Sequence, residues 1–286
     1  MTRIITEDYL AGILKERNPF SHKNDYGQAL LVAGSRGMMG AALLSARACM
    51  RSGVGLLTVR VPRCGYGIMQ LGVPEAKCDT DNREDHHSHI ELPSGIDALA
   101  VGPGLGLHQE TQDALARLLQ GGLHLPGLPD PALVLDADAL NILSLHPELM
   151  EHLPKGTLLT PHPGEARRLL TATGAGNCLQ LAMKYDVVVI LKDHFTQILL
   201  PDAGTLRNEK FGNAGMAVGG TGDTLTGILL GLRAQGYSPA EAAALGVALH
   251  GLAADLAIDR GGQSEESLLP SDIIQWLGAA FSEIAG

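Results

Sequence analysis

The stretch with the clearest chemical meaning is GNAGMAVGGTGDTLTGILLGLRAQG, at residues 212–236. It contains three closely spaced glycines, Gly219, Gly220 and Gly222. Glycine lets the backbone turn tightly, and a helix that begins near Thr224 would direct its free amides and its positive dipole end into that turn. We therefore predict an anion-binding turn. Asp223 stands at its mouth, where a carboxylate can accept a proton from a hydroxyl that attacks a bound phosphate.

Asp223 also fits a helix N-cap, because Asp is a common capping residue. A cap accounts for the Asp but leaves the flanking glycines unexplained, so the pattern favours a catalytic base. Asp136 and Asp138 follow a buried strand. Each could lie near the phosphates or could be a solvated acid at a helix cap, so we include neither residue in the site. His250 stands in an Ala- and Leu-rich helix, which favours a core histidine.

The segment PHPGE brings a histidine and a carboxylate to the end of another strand. The segment resembles the place where many ribokinase-like proteins carry NxxE, whose Glu helps to organise magnesium. Nucleotide phosphoryl transfer uses magnesium to spread charge over bridging oxygens, so the resemblance implies that ion near Glu165. The same residues also fit a proline-bounded turn that places Glu165 in the first turn of the next helix, and both interpretations can hold together. For His162 the strand end favours contact with a substrate.

Six β-rich runs alternate with helical Ala- and Leu-rich stretches, as in a parallel sheet covered by helices on both faces. The runs are ALLVAG, LLTVRV, DALAVG, ALVLDA, TLLTP and VVVILK. Several are apolar without alternation, as expected of strands buried on both sides. Their carboxyl ends should therefore line the site. The loop GSRGMMG after the first run matches neither the Rossmann fingerprint nor the P-loop.

Composition excludes several classes of protein. The 286 residues are 45% hydrophobic and 18% charged, which is typical of a globular chain. A net charge of −10 opposes nucleic-acid binding, which depends on clustered basic residues. No apolar run is long enough for a bilayer and the N-terminus lacks a signal-peptide pattern, so we expect no membrane and a cytoplasmic location. Four dispersed cysteines indicate reduced thiols in the core rather than a zinc site.

Two segments between the strands are predicted to be surface connections. Residues 79–91, DTDNREDHHSHIE, could suggest a metal site, but nothing in their spacing would converge the ligands, so a solvated loop is favoured. Residues 121–131, GGLHLPGLPDP, are rich in Gly and Pro. Neither is a domain linker, because the strand pattern resumes after each.

GGTGD followed by a glycine-bearing helix resembles the anion hole and catalytic Asp of the ribokinase-like superfamily. The ordered set GSRGMMGAALLSARACMRSGVGLLTV, VPE, DALAVGPGLG, LVLDADALN, LTPHPGEA, VVVILK, GNAGMAVGGTGDTLTGIL and LGVALHGLAADLA is similar to the ADP-dependent NAD(P)H-hydrate dehydratases. The resemblance implies a three-layer α/β fold with a mostly parallel central sheet, formed by residues 1–286 as a single domain.

The resemblance also implies the reaction and its residues. A nucleotide phosphorylates the hydroxyl on carbon 6 of the S epimer of NAD(P)H hydrate, and loss of phosphate restores NAD(P)H, giving AMP and phosphate. Asp223 would deprotonate the hydroxyl, the amides at Gly220, Thr221 and Gly222 would stabilise the transferring group, and Gly222 would also contact the nucleotide. Substrate contacts map onto Ala41, Gly106, His162 and Asp223.

The family segment KGxxT, which wraps the nucleotide, is KDHFT in this chain. The implied nucleotide contacts are Lys192, Asp193, His194, Phe195 and Thr196. Asp193 replaces the usual glycine, so a positive φ there would cost more, although Asp tolerates it better than most residues. Residues 171–185 are shorter than the usual helical connection of the family.

The cofactor is expected to be Mg²⁺ and the donor ADP, with ATP as the alternative. The resemblance further implies a homotetramer and a separate NAD(P)H-hydrate epimerase in the same pathway, because no segment here is long enough for an epimerase domain. Two other functions stay open: a small-molecule alcohol kinase of the same fold, similar to hydroxyethylthiazole kinase, and a non-catalytic nucleotide-binding protein.

Overall fold

The computed structural model describes residues 2–121 and 132–286. The connection expected at residues 121–131 therefore lies, beyond Gly121, outside the described residues. Within these two ranges, ten strands form one sheet: β1 (Thr2–Ile4), β2 (Gln28–Val32), β3 (Leu56–Val61), β4 (Lys77–Thr80), β5 (Ala98–Val101), β6 (Ala132–Leu135), β7 (Leu158–Leu159), β8 (Val188–Leu191), β9 (Gln197–Leu199) and β10 (Thr205–Arg207).

In the described part of the chain, ten α-helices connect and cover these strands. They are α1 (Glu7–Ile13), α2 (Met39–Arg51), α3 (Tyr66–Gly72), α4 (Gln109–Gln120), α5 (Asp138–Leu145), α6 (Pro163–Thr173), α7 (Cys178–Tyr185), α8 (Thr221–Ala234), α9 (Pro239–Asp259) and α10 (Pro270–Ala285). Short 3₁₀ turns occupy Lys23–Tyr26, Arg63–Gly65, Pro147–His152 and Ala214–Met216.

The sheet order is β1-β10-β9-β8-β7-β6-β5-β2-β3-β4. Every pair is parallel except β8 with β9 and β9 with β10. All six strands predicted from the sequence are present, side by side and parallel. Since parallel strands end at the same edge of a sheet, the residues that follow β5, β6, β7 and β8 lie near one another, which is where open α/β sheets bind ligands.

The apolar core has two halves, one on each face of the sheet. Leu31 of β2 belongs to the half covered by α1, α2, α3, α8, α9 and α10, whereas Leu30 and Val32 belong to the half covered by α4, α5, α6 and α7. Alternate residues of one strand point to opposite faces, so the central sheet is buried on both sides. The predicted mostly parallel three-layer α/β architecture is confirmed.

Close packing of α2 against α8 sets the position of the predicted anion-binding turn. A Cβ at Gly227 would collide with the backbone oxygen of Ser45, and one at Gly231 would lie 2.9 Å from the oxygen of Cys49. The missing side chains let the two helices approach closely. In addition, Ser45 Oγ donates a hydrogen bond of 2.8 Å to the Asp223 carbonyl. The start of α8 is thus held against the helix that follows β2.

Four short strands, β1, β4, β9 and β10, were not predicted from the sequence. Each has three or four residues, and β1 and β4 form the two edges of the sheet, where polar side chains remove the apolar signal.

The prediction that no apolar run is long enough for a bilayer is wrong, because α9 is long and apolar enough to cross a membrane. Most of α9 is buried inside the protein, as in a core helix. All four cysteines are free.

Candidate active site

A cavity of about 830 Å³ lies at the carboxyl ends of the central strands. It brings together segments that are far apart in the chain: the residues after β6, the start of α6, the loop after β8, a second loop at 208–220, and the facing sides of α8 and α9. Among its lining residues are most of the positions singled out in the sequence: His162, Glu165, Lys192, Asp193, His194, Phe195, Thr196, Gly220, Thr221, Gly222 and Asp223.

Helix α8 begins at Thr221, three residues earlier than predicted, and its N-cap is Gly220. Gly220 has φ 96°, a left-handed conformation that favours glycine. Within the described chain, no hydrogen bond links the amides of Gly220 or Gly222 to another protein group, whereas the Thr221 amide makes a long bond of 3.4 Å to Val218 O. Two of the three amides assigned to the anion-binding turn are therefore free, and the third is weakly engaged.

Asp223 is the third residue of α8 and not its N-cap, so the capping interpretation is wrong. The carboxylate is half-buried and lines the cavity. Burial, with added repulsion from Asp136, Asp138 and Glu165, raises the pKa of Asp223 to about 7, against the opposing charge of Lys192. A carboxylate with that pKa can take up a proton near neutral pH, which a general base requires.

Asp136 is a site residue that the sequence left undecided. It follows β6, is almost fully buried, and lines the cavity. Its Oδ1 accepts from Lys192 Nζ at 2.8 Å, and its Oδ2 accepts from Thr226 Oγ1 at 2.6 Å. Burial favours a higher pKa for Asp136, but the charge of Lys192 and these hydrogen bonds outweigh it and hold the pKa below its usual value. Asp136 is therefore ionised beside Asp223.

Lys192 is the cation that balances these carboxylates. Its ammonium pairs with Asp136 and lies 3.2 Å from the position that a Cβ on Gly222 would occupy. The missing side chain at Gly222 thus leaves room for a positive charge over the first turn of α8. An ammonium and the free amides of a helix N-terminus together favour a bound anion.

The rest of the KDHFT segment lies along the cavity after β8. Asp193 is not among the non-glycine residues with positive φ, so replacing the usual glycine imposes no left-handed backbone. Its Oδ1 instead accepts from the His194 amide at 2.8 Å. Phe195 stacks edge-on with His194 and lies under the guanidinium of Arg207. The shortened connection at 171–185 forms the end of α6, a turn and all of α7.

His162 and Glu165 form a reciprocal cap at the start of α6. The His162 amide donates to Glu165 Oε2 at 2.9 Å, while His162 Nδ1 accepts from the Gly164 amide at 3.0 Å. Burial raises the pKa of Glu165, although the nearby charge of Lys192 opposes it. The capping interpretation is correct, and both side chains also line the cavity.

The carboxylates of the cavity wall could take part in binding Mg²⁺. Across residues 2–121 and 132–286, no three His, Cys, Asp or Glu side chains cluster so as to hold a metal by themselves. Mg²⁺ usually keeps several waters and is bound through one or two carboxylates together with substrate phosphates. Asp136 and Glu165, both on the cavity wall, fit that kind of site, with Mg²⁺ arriving with a nucleotide.

Ala41 and Gly106, two predicted substrate contacts, are not among the residues that line this cavity. A Cβ on Gly104 would lie 3.0 Å from the Ala41 Cβ, so the loop after β5 contacts the start of α2. The Gly106 amide donates to Asp138 Oδ2 at 2.8 Å. After burial and Asp136, the charge of Asp138 also contributes to the raised pKa of Asp223. Asp138 therefore links Gly106, but not Ala41, to the electrostatics of Asp223.

The loop at residues 79–91 is not simply solvated, as had been expected. Asp81 is buried and accepts hydrogen bonds from the amides of Arg83, Ser88 and His89. His87 is fully buried, and its Nε2 lies 3.0 Å from Gly34 O in the loop after β2. The polar residues of this segment therefore fold it against the sheet.

Comparisons with known proteins match the chain to one enzyme family. A model of the NAD(P)H-hydrate dehydratase family matches residues 29–276. A bifunctional NAD(P)H-hydrate repair enzyme from Moorella thermoacetica is 38% identical over 292 residues, covering 96% of this chain and 53% of the relative. The chain spans about half the length of the curated relatives that it matches first.

Other relatives match over nearly their whole length. An ADP-dependent (S)-NAD(P)H-hydrate dehydratase from Bacillus subtilis is 34% identical, with 94% of each chain covered. The crystal structure of an ADP/ATP-dependent NAD(P)H-hydrate dehydratase from Bacillus subtilis, co-crystallised with ATP and Mg²⁺, covers 98% of each chain with a TM-score of 0.81 at 32% identity. The ribokinase-like fold implied by the sequence is confirmed.

Proposed function

The chain belongs to the NAD(P)H-hydrate dehydratase family, and from this we propose that it dehydrates the S epimer of NAD(P)H hydrate in an ADP-dependent reaction. The products are NAD(P)H, AMP and phosphate, and a phosphorylated hydrate is the intermediate. One observation carries the proposal: the Asp223 carboxylate, with its pKa raised to about 7, stands in the cavity at the free amides of α8.

In the first step Asp223 accepts the proton of the hydroxyl on carbon 6. The freed oxygen attacks the terminal phosphoryl group of ADP, and the bond between that group and AMP breaks. The amides of Gly220 and Gly222 bind the oxygens of the transferring group, where negative charge is spread in the transition state. Asp223 therefore has to be ionised before transfer, which its pKa permits at neutral pH.

The second step removes the phosphate. Hydroxide is a poor leaving group, whereas phosphate is a good one, and the lone pair of the ring nitrogen expels it as the carbon–oxygen bond breaks. The neighbouring ring carbon then loses a proton to the departing phosphate or to water, which restores the dihydronicotinamide. The role of the phosphoryl transfer is thus to convert a hydroxyl into a leaving group.

Lys192 and Asp136 prepare the phosphate site. The ammonium of Lys192 lies over the first turn of α8, where it can pair with a phosphate, and Asp136 holds it there. Mg²⁺, when bound with the nucleotide, neutralises charge on the phosphate oxygens. Asp136 and Glu165 are the carboxylates that would hold it. Lys192 and Asp193–Thr196, which also line the cavity, would contact the nucleotide. On the substrate side we assign Ala41, Gly106 and His162.

Several finer properties belong to the same proposal. ADP is the donor, with ATP as an alternative, which the ADP/ATP-dependent relative supports. Relatives about twice as long are named bifunctional NAD(P)H-hydrate repair enzymes, and on this basis and the family resemblance we propose that a hydrate epimerase acts in the same pathway. We also propose a homotetramer, on the basis of the family resemblance, and a cytoplasmic location, where the nucleotide substrates are found.

The test is to incubate the protein with hydrated NADH, ADP and Mg²⁺ and to follow the absorbance of NADH. The proposal predicts that absorbance returns, with one AMP formed for each NADH. A simple alcohol kinase would accumulate a phosphorylated product without NADH, and a non-catalytic binding protein would form neither. The absence of NADH recovery with both ADP and ATP would reject the proposed reaction.

A further inference from the structure

Thr226 is a buried polar residue in the second turn of α8. The residues of this helix from Thr224 to Ala234 are all buried, and most of them are apolar. Thr226 is fully buried, and it does not itself line the cavity. A hydroxyl in such surroundings needs a hydrogen-bond partner, whereas a valine would have the same shape without that need. The partner of the hydroxyl therefore indicates why a threonine stands here.

The hydroxyl of Thr226 donates to the buried carboxylate of Asp136. Thr226 Oγ1 lies 2.6 Å from Asp136 Oδ2 and 3.3 Å from the carbonyl oxygen of Gly222, one turn earlier in the helix. A hydroxyl has one hydrogen, and an ionised acceptor makes the shorter and stronger bond, so Asp136 is the main acceptor. The Thr160 hydroxyl also interacts with Asp136, but its hydrogen bond, of 3.4 Å, goes to Leu135 O.

Asp136 carries this constraint to Lys192. Its other oxygen, Oδ1, accepts from Lys192 Nζ at 2.8 Å, so the carboxylate cannot rotate without breaking one of its two bonds. Lys192 Nζ lies 3.2 Å, and Asp136 Oδ2 3.9 Å, from the position of a Cβ on Gly222. Gly222 and Thr226 share one face of α8, because residues i and i+4 of a helix do. One helix therefore carries both the free amide of Gly222 and the hydroxyl that sets where the ammonium lies relative to that amide.

We propose that Thr226 is a positioning residue, which acts through Asp136 to hold the Lys192 ammonium against the phosphoryl group that the α8 amides bind. This inference rests on the proposed function and adds to it a residue that touches neither nucleotide nor substrate. Without the hydroxyl, Asp136 loses its shortest hydrogen bond, and the pair of charges is free to turn away from the first turn of α8. A misplacement of about 1 Å can cost about 100-fold in rate.

The kinetic test uses two matched pairs of proteins that differ by one hydroxyl. Thr226→Val against wild type removes the hydroxyl at constant shape, and Thr226→Ala against Thr226→Ser removes it where both proteins lack the methyl group. With hydrated NADH, ADP and Mg²⁺, kcat/KM for ADP should fall about 10- to 100-fold within each pair, while KM for the hydrate stays within a few-fold. A packing role predicts the opposite order, with Thr226→Val closer to wild type than Thr226→Ser, and that order would overturn the inference. If Thr226→Val does not fold, the second pair decides.

Thr224→Val is the matched control. Thr224 is equally buried in the same helix, but its hydroxyl donates to the backbone oxygen of Gly220, at 3.2 Å, and not to Asp136. This variant should therefore keep kcat/KM for ADP within a few-fold of wild type. A loss in Thr224→Val as large as that in Thr226→Val would show that any buried hydroxyl of α8 has this effect, and would also overturn the inference.

A double-mutant cycle tests whether the effect passes through Lys192. Calorimetry with Mg²⁺ gives the ADP affinity of wild type, Thr226→Val, Lys192→Met and the double variant, and it needs no turnover. Thr226→Val should weaken ADP binding about tenfold in the wild-type background and less than about twofold beside Lys192→Met, since residues that act through one group are not additive. Equal weakening in both backgrounds, or none in either, would overturn the inference. Failure of the wild type to regenerate NADH would instead reject the proposed function and leave this cycle as the test.

Discussion

The carboxylate proposed as the base should destabilise the fold at neutral pH. Asp223 has its pKa raised from the usual 3.8 to about 7, mainly by burial. Between these two values the folded protein binds one more proton than the unfolded chain, so stability falls as pH rises through this window. The penalty is complete above pH 7 and absent below about pH 4. Replacing Asp223 with Asn removes it.

The size of the effect follows from the shift. A difference of about three pKa units corresponds to about 4 kcal/mol, at roughly 1.4 kcal/mol per unit. Because Asp223 is only half-buried and lines an open cavity, solvent screening reduces this, and we expect about 2 kcal/mol. At about 2–4 °C per kcal/mol, Asp223→Asn should raise the melting temperature by about 4–8 °C at pH 8.

The assay is thermal unfolding of wild type and Asp223→Asn at pH 8 and pH 5, without nucleotide. The stability advantage of the variant should be less than half as large at pH 5. The penalty builds up as pH rises from the unfolded-state pKa of 3.8 to the folded-state pKa of about 7, and at pH 5 less than half of that interval has been crossed. A variant that is no more stable than wild type at pH 8, or equally favoured at both pH values, would refute the electrostatic reasoning.

Two further predictions concern the groups around Asp223. Gly220→Ala should lower the free energy of unfolding by more than about 1 kcal/mol and weaken ADP binding, because φ is 96° there and a Cβ would lie 2.5 Å from Leu44 Cδ1. A wild-type melting temperature together with a wild-type ADP affinity by calorimetry would contradict this. Asp136→Asn removes a charge that raises the pKa of Asp223 and frees Lys192, which lowers it. The acidic limb of kcat/KM against pH should therefore move to lower pH, and an unmoved or rising limb would contradict the assignment.

The central architecture could be predicted because its strands are uniformly apolar. ALLVAG and VVVILK are buried on both faces, so composition alone marks them. The edge strands β1 and β4 carry no such signal, because their exposed sides admit polar residues. The sequence predicts the start of α8 three residues too late, because glycine is a poor helix former, yet Thr221 and Gly222 are inside the first turn of the helix.

The site could be predicted as far as local motifs reach. Asp223 and the glycines around it stand in one segment, so their pattern is visible in the sequence. The role of Asp136 depends on Lys192, which is 56 positions away, and only the fold brings their charges together. His250 is predicted to be a core residue because its helix is apolar, and it is indeed buried, but only the fold shows that it also lies at the cavity wall.

The most direct test of the mechanism combines binding and turnover in the Asp223→Asn protein. A carboxylate that acts only as base is not needed to hold ADP, so we predict ADP affinity within a few-fold of wild type. Regeneration of NADH from its S hydrate should fall by about 10²–10⁴-fold, the usual contribution of a general base. An Asp223→Asn protein that regenerates NADH at the wild-type rate would contradict the account.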